Sequence, residues 1–399
     1  MDQPHQPLFN RTYLKILPWV VAILIVLLTA NSQKTATSSA IALAENWVYL
    51  TIEEEMEQQL RLTYPVTPAY TEKQLQQRTA LASAYTQATT SQSQVSLQWK
   101  DDRVIFSFLL PEDISKLKTF DLDSLLKNLT RSANQHFPAA LTRATAERYL
   151  ALSDIEEQAL SNLKAHLPMS TSDYIQPTTP SSLLAQRPTV LLTLKENNDD
   201  ATDTLLKQLK TRYSQPQVRQ TTVATTNKTT THIDAQHRSP YHLYLIGKAI
   251  NTDLNSIGRT LTFHYINQAV RPVIEQSGST YRLLLKPAFP IGYSALSITR
   301  KTPFNKMLNR NLQTYLLENF DSKQLEHIKT SLIQQYGKQL STAQGRVEQL
   351  TTTLFYQEKL QSEDEFRDTI NNISNTQVQT NIKNLFDPEH TIIVQITPP

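Results

Sequence analysis

The chain has 399 residues, of which 39% are hydrophobic and 19% charged, and its formal net charge is +3 at pH 7. This length accommodates two domains of ordinary size. The near-neutral charge, without a basic cluster, argues against nucleic-acid binding, which needs a concentrated basic face. The sequence contains no cysteine, which excludes disulfides, thiol catalysis and cysteine-ligated zinc and suits an exported bacterial protein.

The first feature along the chain is an apolar run from Ile16 to Ala30. Counted from Tyr13, it approaches the roughly 20 residues that cross a bilayer as a helix. Arg11 and Lys15 stand at its start, so the positive-inside rule leaves residues 1–12 in the cytoplasm as a tail. The remainder of the chain is then placed outside.

We therefore predict a single-pass transmembrane anchor over residues 13–30 in a bacterial inner membrane, with the C-terminal body in the periplasm. Residues 31–44 consist mostly of small residues and predict a tether. A cleaved signal peptide is the alternative. Its best small-residue cleavage site, Ala42–Ala44, lies far beyond the apolar core.

Residues 45–215 form the first predicted domain of the body. Residues 71–87 are rich in good helix formers and predict a helix. Two short strands follow, separated by a turn that contains Asp101 and Asp102, which we interpret as solvated loop residues. Further along we predict a helix with leucines at helical spacing from Leu122, another helix near 142–166, a buried strand at 189–194 and a short helix at 201–213.

Residues 216–240 carry no periodicity and predict an inter-domain linker. The second predicted domain covers 241–399. Its predicted strands are 241–246, 281–285, 293–299 and 391–396, and its predicted helices are 252–276, 303–319, a pair within 321–360, and 362–386. This order indicates an α+β fold, in which helices cover one face of an antiparallel or mixed sheet. The first domain repeats the pattern more loosely.

Several segments resemble the insulinase/pitrilysin-type zinc metallopeptidases, which include the mitochondrial processing peptidase subunits. Tyr241–Gly247 resembles the strand that opens the family's second domain. Val273–Tyr281 resembles its run with a glutamate, a glycine and a tyrosine, and Leu385–Pro399 resembles its closing strand. The resemblance covers residues 189–399 and, more faintly, 75–165. It implies two insulinase-like α+β domains, of which the first is degenerate.

The resemblance also implies a zinc site, which the sequence lacks. Active members bind zinc through a His-x-x-Glu-His helix early in the first domain. By position this helix is Thr71–Gln87, yet no histidine lies between His5 and His136. Elsewhere in the chain three histidines recur every five residues, a spacing that fits neither a helix face nor a strand face: His232, His237 and His242. We therefore predict no catalytic, metal-binding or cofactor-binding residue and no cofactor.

The second domain offers candidates for binding instead. In the family it contributes an arginine and a tyrosine that hold the substrate backbone. Tyr281 matches the tyrosine, whereas Ile274 stands in place of the arginine, with Arg271 and Arg282 nearby. The alternative is that Tyr281 only packs at the start of a strand.

The predicted helix over 252–276 carries more apolar and aromatic residues than one face needs for its own sheet. Aromatic residues are enriched at protein interfaces. We therefore predict that His264 and Tyr265 belong to a partner-binding surface.

Together these features predict a membrane-anchored, non-catalytic pseudo-peptidase that binds a partner subunit or an extended polypeptide in the bacterial envelope. The predicted partner is a homologous zinc-bearing peptidase subunit or another envelope protein, not a nucleic acid. Two alternatives remain open: an active metallopeptidase with an unrecognised site, and a structural envelope scaffold unrelated to proteolysis.

Overall fold

The computed structural model describes two sheets, each packed against helices. The predicted anchor over residues 13–30 lies outside the described residues. Among the helices that the structure describes, none is long and apolar enough to cross a membrane. The described residues are 40–44, 47–51, 56–90, 92–113, 116, 120–168, 177–195, 205–207, 209, 211, 213, 228–235, 239–251, 256–304, 308–358 and 360–399.

The first sheet has six strands in the order β1-β2-β6-β3-β5-β4. They are β1 (Ala40–Ala44), β2 (Trp47–Thr51), β3 (Gln59–Pro65), β4 (Val95–Trp99), β5 (Arg103–Leu109) and β6 (Thr189–Leu194). β2 runs parallel to β6, and the other neighbours are antiparallel. Residues 40–44, which were predicted to be the end of the tether, instead form a strand that pairs with β2 at the edge of the sheet.

The second sheet has five strands in the order β7-β11-β8-β10-β9. They are β7 (Thr229–Asp234), β8 (His242–Asn251), β9 (Thr280–Lys286), β10 (Ile291–Arg300) and β11 (Ile392–Thr397). The predicted linker over 216–240 thus contributes an edge strand, β7, which runs parallel to β11. Threonine, which occupies three of the six positions of β7, favours strands without forming an apolar run.

Most of the described helices follow the predictions, but the helix predicted near 142–166 is divided: residues 142–151 continue the helix that begins at Leu122, and a separate helix covers Ile155–Ala165. The described helices are α1 (Glu72–Thr90), α2 (Leu122–Ala151), α3 (Ile155–Ala165), α4 (Pro180–Leu184), α5 (Ser256–Gln276), α6 (Leu308–Glu318), α7 (Ser322–Leu340), α8 (Ala343–Tyr356), α9 (Glu363–Asn371) and α10 (Asn375–Leu385). The predicted helix over 362–386 is instead two helices, because Ser374 forms a capping box that starts α10.

Helices cover both faces of each sheet, so the prediction of helices on one face only was wrong. α1 and α2 pack on one face of the first sheet, where Leu62 and Phe106 are fully buried. The opposite face is covered by α8, which comes from the second half of the chain and packs Val347 and Leu350 against Leu191. Two-sided coverage explains why every residue of β3 is buried.

The second sheet shows the reciprocal arrangement. On one face it packs against α5 and helices from its own half. On the other face lies α3, from the first half, whose Leu160 and Leu163 contact Leu243, Leu245 and Val394. One helix from each half therefore packs against the sheet of the other half. We call α3 and α8 the exchanged helices.

Candidate functional site

The helix that the resemblance assigns to zinc binding is α1, and a network of charges holds its first turn. The Glu72 carboxylate accepts hydrogen bonds from Arg148 Nε at 2.6 Å and from Arg148 Nη2 at 3.0 Å. It also accepts a hydrogen bond from the hydroxyl of Ser161. Arg148 Nη1 donates to Glu157 at 3.2 Å. The network therefore ties the beginning of α1 to the end of α2 and to α3.

Glu72 and Arg148 stabilise each other's charged forms. The hydrogen bonds from Arg148 hold the pKa of Glu72 below its ordinary value. The hydrogen bonds to Glu72 raise the pKa of Arg148, whose side chain is only 12% exposed. Bidentate arginine–carboxylate pairs of this kind are among the stronger side-chain hydrogen bonds.

These residues do not fit a zinc ion. Zinc needs three or four nitrogen, sulfur or oxygen ligands, and α1 contains no histidine. The carboxylates of Glu72 and Glu157 are bonded to Arg148, a cation that repels a metal ion. In the described part of the chain, no group of three or more His, Asp or Glu side chains is placed to hold a metal.

The structure places Tyr265 in the core, so its predicted role at a partner surface was wrong. Tyr265 is 0% exposed, and its ring lies 4.7 Å from that of Phe320. Its hydroxyl accepts a hydrogen bond from the Asp321 backbone N–H at 2.8 Å. The apolar surface of α5 is wide because α6, α7, α10 and β9 all contact this helix. The prediction assumed that α5 packs only against its own sheet, whereas the contacts with neighbouring helices account for its additional apolar residues.

His264 and Arg271 both lie on the exposed side of α5. Arg271 Nε contacts Glu275 Oε1 at 3.1 Å, and these two side chains are 69% and 58% exposed. An exposed pair of this kind contributes little stability. Both side chains are accessible to solvent.

Tyr281 and Arg282 lie on the edge strand β9, and their side chains make different contacts. The Tyr281 hydroxyl donates to the carbonyl and side-chain oxygens of Asn267, at 3.1 and 3.0 Å, while the ring packs against the core. Arg282 Nη1 contacts Glu156 of α3 at 3.3 Å. Tyr281 therefore has a packing role, whereas the half-exposed Arg282 guanidinium lies at the contact between β9 and the exchanged helix.

β9 also offers a backbone edge. Within the described residues it pairs with β10 alone, so one row of its N–H and C=O groups has no strand beside it. An open row of this kind is a template for another extended chain. The strand carries one cation near each end, Arg282 and Lys286, both about half exposed.

No protein-family model matches the chain, and no curated protein sequence matches it. Solved structures do. A peptidase M16 inactive domain from Pseudomonas fluorescens aligns over 90% of this chain and 98% of its own, with a TM-score of 0.59 and 15% sequence identity. The chain has the insulinase-like fold of the M16 peptidases. The fold predicted from the resemblance is thereby confirmed.

Two longer peptidases share this fold. A variant of the ferredoxin protease FusC, in complex with Arabidopsis ferredoxin, aligns over 90% of this chain and 46% of its own, with a TM-score of 0.59 and 12% identity. Pitrilysin aligns over 92% of this chain and 44% of its own, with a TM-score of 0.58 and 11% identity. The chain thus spans less than half the length of either peptidase.

Proposed function

We propose that this protein is a non-catalytic M16-fold protein that binds a partner subunit or an extended polypeptide in the bacterial envelope. The observation that carries the proposal is the ion pair between Arg148 and Glu72 at the start of α1, the helix that the resemblance assigns to zinc binding. A cation and its carboxylate partner stand there, and α1 offers no histidine. The likeness to an inactive M16 domain supports this proposal.

The proposed ligand is an extended polypeptide that adds as a strand to the open edge of β9. Backbone hydrogen bonds supply affinity in this binding mode, and side chains next to the edge supply selectivity. Arg282 is exposed on β9 and favours acidic segments. FusC, which has the same fold, is seen with a protein bound to it, and this supports a polypeptide as the class of ligand.

The proposed partner is a second unit of the same fold that carries zinc. Pitrilysin and FusC each contain more than twice the length that this chain matches, so a second unit would complete an assembly of their size. Another envelope protein is the alternative partner. We further propose that residues 13–30 anchor the body to the inner membrane with the body in the periplasm, on the basis of the apolar run and the cations that precede it.

Site-specific photo-crosslinking tests polypeptide binding. A photoreactive residue replaces Arg282 in the full-length protein in cells, and the control carries it at Lys127, an exposed position on α2. We expect a reproducible crosslinked polypeptide from position 282 and none from position 127. Mass spectrometry then shows whether the polypeptide carries a His-x-x-Glu-His motif. Equal crosslinking at both positions, or none at 282, contradicts the proposed edge.

Metal analysis tests the non-catalytic assignment separately. We expect the purified full-length protein to contain well under one zinc per chain and to cleave no generic peptide. About one zinc per chain, together with peptidase activity that a chelator abolishes, would support the alternative of an active metallopeptidase. A protein without zinc, activity or any crosslinked polypeptide would support the structural scaffold.

A further inference from the structure

A cavity of about 300 Å³ opens between the two halves of the chain. Its volume lies at the lower end of the range that small-molecule sites occupy. Five parts of the fold form its walls: the β3–α1 connection, the first turns of α1, the β4–β5 turn, α3, and the β9–β10 hairpin. The Tyr70 hydroxyl donates a hydrogen bond to the Ile291 carbonyl and joins the two halves beside the cavity.

The charged side chains of the cavity wall are three cations and one carboxylate: Arg78, Lys164, Lys286 and Asp101. The Arg78 guanidinium donates to the backbone carbonyls of Lys100 and Asp101, which are neutral acceptors, so its charge is not cancelled by a bonded carboxylate. Lys286 Nζ lies 3.9 Å from Asp101 Oδ2, and both side chains are about half exposed. A contact of this kind is weak, and the wall keeps a positive excess.

Lys164 is a largely buried cation that faces an aromatic ring and has no carboxylate partner among the described residues. In the described part of the chain, no carboxylate lies within ion-pairing distance of its ammonium, and the nearby Glu157 is bonded to Arg148. The ammonium instead faces the Tyr293 ring, 5.9 Å from its centroid. Burial lowers the pKa of Lys164, because removing an ammonium from water disfavours its charged form. An anion in the cavity would offset this cost.

The remaining wall favours an organic anion over an inorganic one. Leu75, Ala288 and Ile291 give it an apolar surface, and the Tyr293 ring closes one side. Ligand sites commonly combine an apolar lining with a few placed polar groups. The cations would then bind the charged end of a ligand, while its apolar body packs against the aliphatic side chains.

We propose that this cavity binds a carboxylate with a small apolar body, either a free short-chain acid or the C-terminal residue of a peptide. The Lys164 and Lys286 ammonium groups donate to the carboxylate oxygens. The site requires both halves, because Lys164 comes from α3 and Lys286 from β9. The inference rests on the cavity itself and does not depend on strand addition at β9.

Isothermal titration of the full-length protein in detergent tests the site with four probes: N-acetyl-dialanine with a free carboxylate, its C-terminal amide, butyrate and inorganic phosphate. We expect the dialanine carboxylate to bind at least about tenfold more tightly than the amide, because hydrogen bonds to a charged acceptor are stronger than those to a neutral one. Butyrate binding as tightly as the peptide would identify a free acid as the natural source. Weaker binding of butyrate would identify a peptide terminus.

Two variants localise the binding. Lys164→Met keeps an unbranched side chain that is one atom shorter and removes its charge, and it should weaken carboxylate binding by about tenfold or more. Lys383→Met, at an exposed position on α10, should leave it unchanged. If Lys164→Met lowers the thermal unfolding midpoint, the half-exposed Lys286→Met replaces it. Equal affinities for carboxylate and amide, tighter binding of phosphate, no binding by any probe, or full affinity in both cavity variants would overturn the proposal.

Discussion

The hydroxyl of Tyr356 donates a hydrogen bond of 2.7 Å to Oδ2 of Asp102, and this contact joins the end of α8 to the β4–β5 turn. Asp102 is 2% exposed. The same oxygen accepts from the Phe289 backbone N–H at 2.9 Å, and Oδ1 accepts from Arg103 at 2.9 Å. One carboxylate therefore connects the first half to two separate segments of the second half.

Replacing Asp102 should destabilise the whole body. Asp102→Ala leaves the buried Arg103 charge and two hydrogen-bond donors without their acceptor, and breaking a buried pair in this way costs ~3–5 kcal/mol. Asp101→Ala changes the exposed neighbour in the same turn and should cost less than ~1 kcal/mol. Urea unfolding followed by circular dichroism measures both. Similar losses for the two variants would show that Asp102 does not hold the halves together.

The sequence predicted local elements better than contacts between them. The strand over 189–194 was predicted at its observed bounds, because a short continuous apolar run is itself the signature of a strand buried on both faces. Asp102 was predicted to be solvated, since a turn rich in aspartate normally faces water. Its partner Tyr356 lies 254 positions later. A local sequence pattern cannot predict a contact between residues so far apart in the chain.

The candidate site shows the same limit. The absence of histidine from α1 can be read directly from the sequence, whereas the pairing of Glu72 with Arg148 joins residues 76 positions apart. The exchange of α3 and α8 was also missed, because helical periodicity shows that a helix has an apolar face but not which sheet covers it.

The exchange of helices predicts that a mutation in α8 loosens the first half of the chain. Leu350 is 6% exposed and packs against the first sheet, so Leu350→Ala should cost ~2–5 kcal/mol. Hydrogen exchange should increase in β2 and β6, more than 150 positions earlier in the sequence. Leu150→Ala, at a 68% exposed position, is the control and should change stability by less than ~0.5 kcal/mol. Faster exchange confined to the second half would contradict the exchanged packing.

The ion pair at the start of α1 predicts an acid-dependent loss of stability. The pKa of Glu72 is lowered in the folded protein, chiefly by hydrogen bonds from Arg148, from an ordinary value of 4.5. A carboxyl group with a lowered pKa contributes stability that is fully present above its unfolded value and is lost as the pH falls through its folded value. Glu72→Gln should therefore melt at a lower temperature than the wild-type protein at pH 7.

The difference in melting temperature should shrink as the pH falls below 4.5 and vanish once Glu72 is protonated in the folded protein. Glu363→Gln serves as the control, because Glu363 pairs with Arg367 on the exposed side of α9. Differential scanning calorimetry between pH 3 and 7 measures the trend. A constant difference between Glu72→Gln and the wild-type protein over that range would show that the ion pair makes no pH-dependent contribution.

Neighbouring positions on α5 separate core packing from surface function. Tyr265→Phe keeps the buried ring and removes the hydroxyl that accepts from the Asp321 N–H, so it should cost ~1 kcal/mol and leave partner binding unchanged. His264→Ala changes an exposed side chain and should alter stability by less than ~0.5 kcal/mol. Chemical denaturation measures the stabilities, and the yield of the crosslink from position 282 measures the binding.

A reduced crosslink yield in His264→Ala alone would extend the binding surface from β9 onto α5. Unchanged yields in both variants would confine it to the strand, whereas a loss in Tyr265→Phe at full stability would contradict the assignment of Tyr265 to the core.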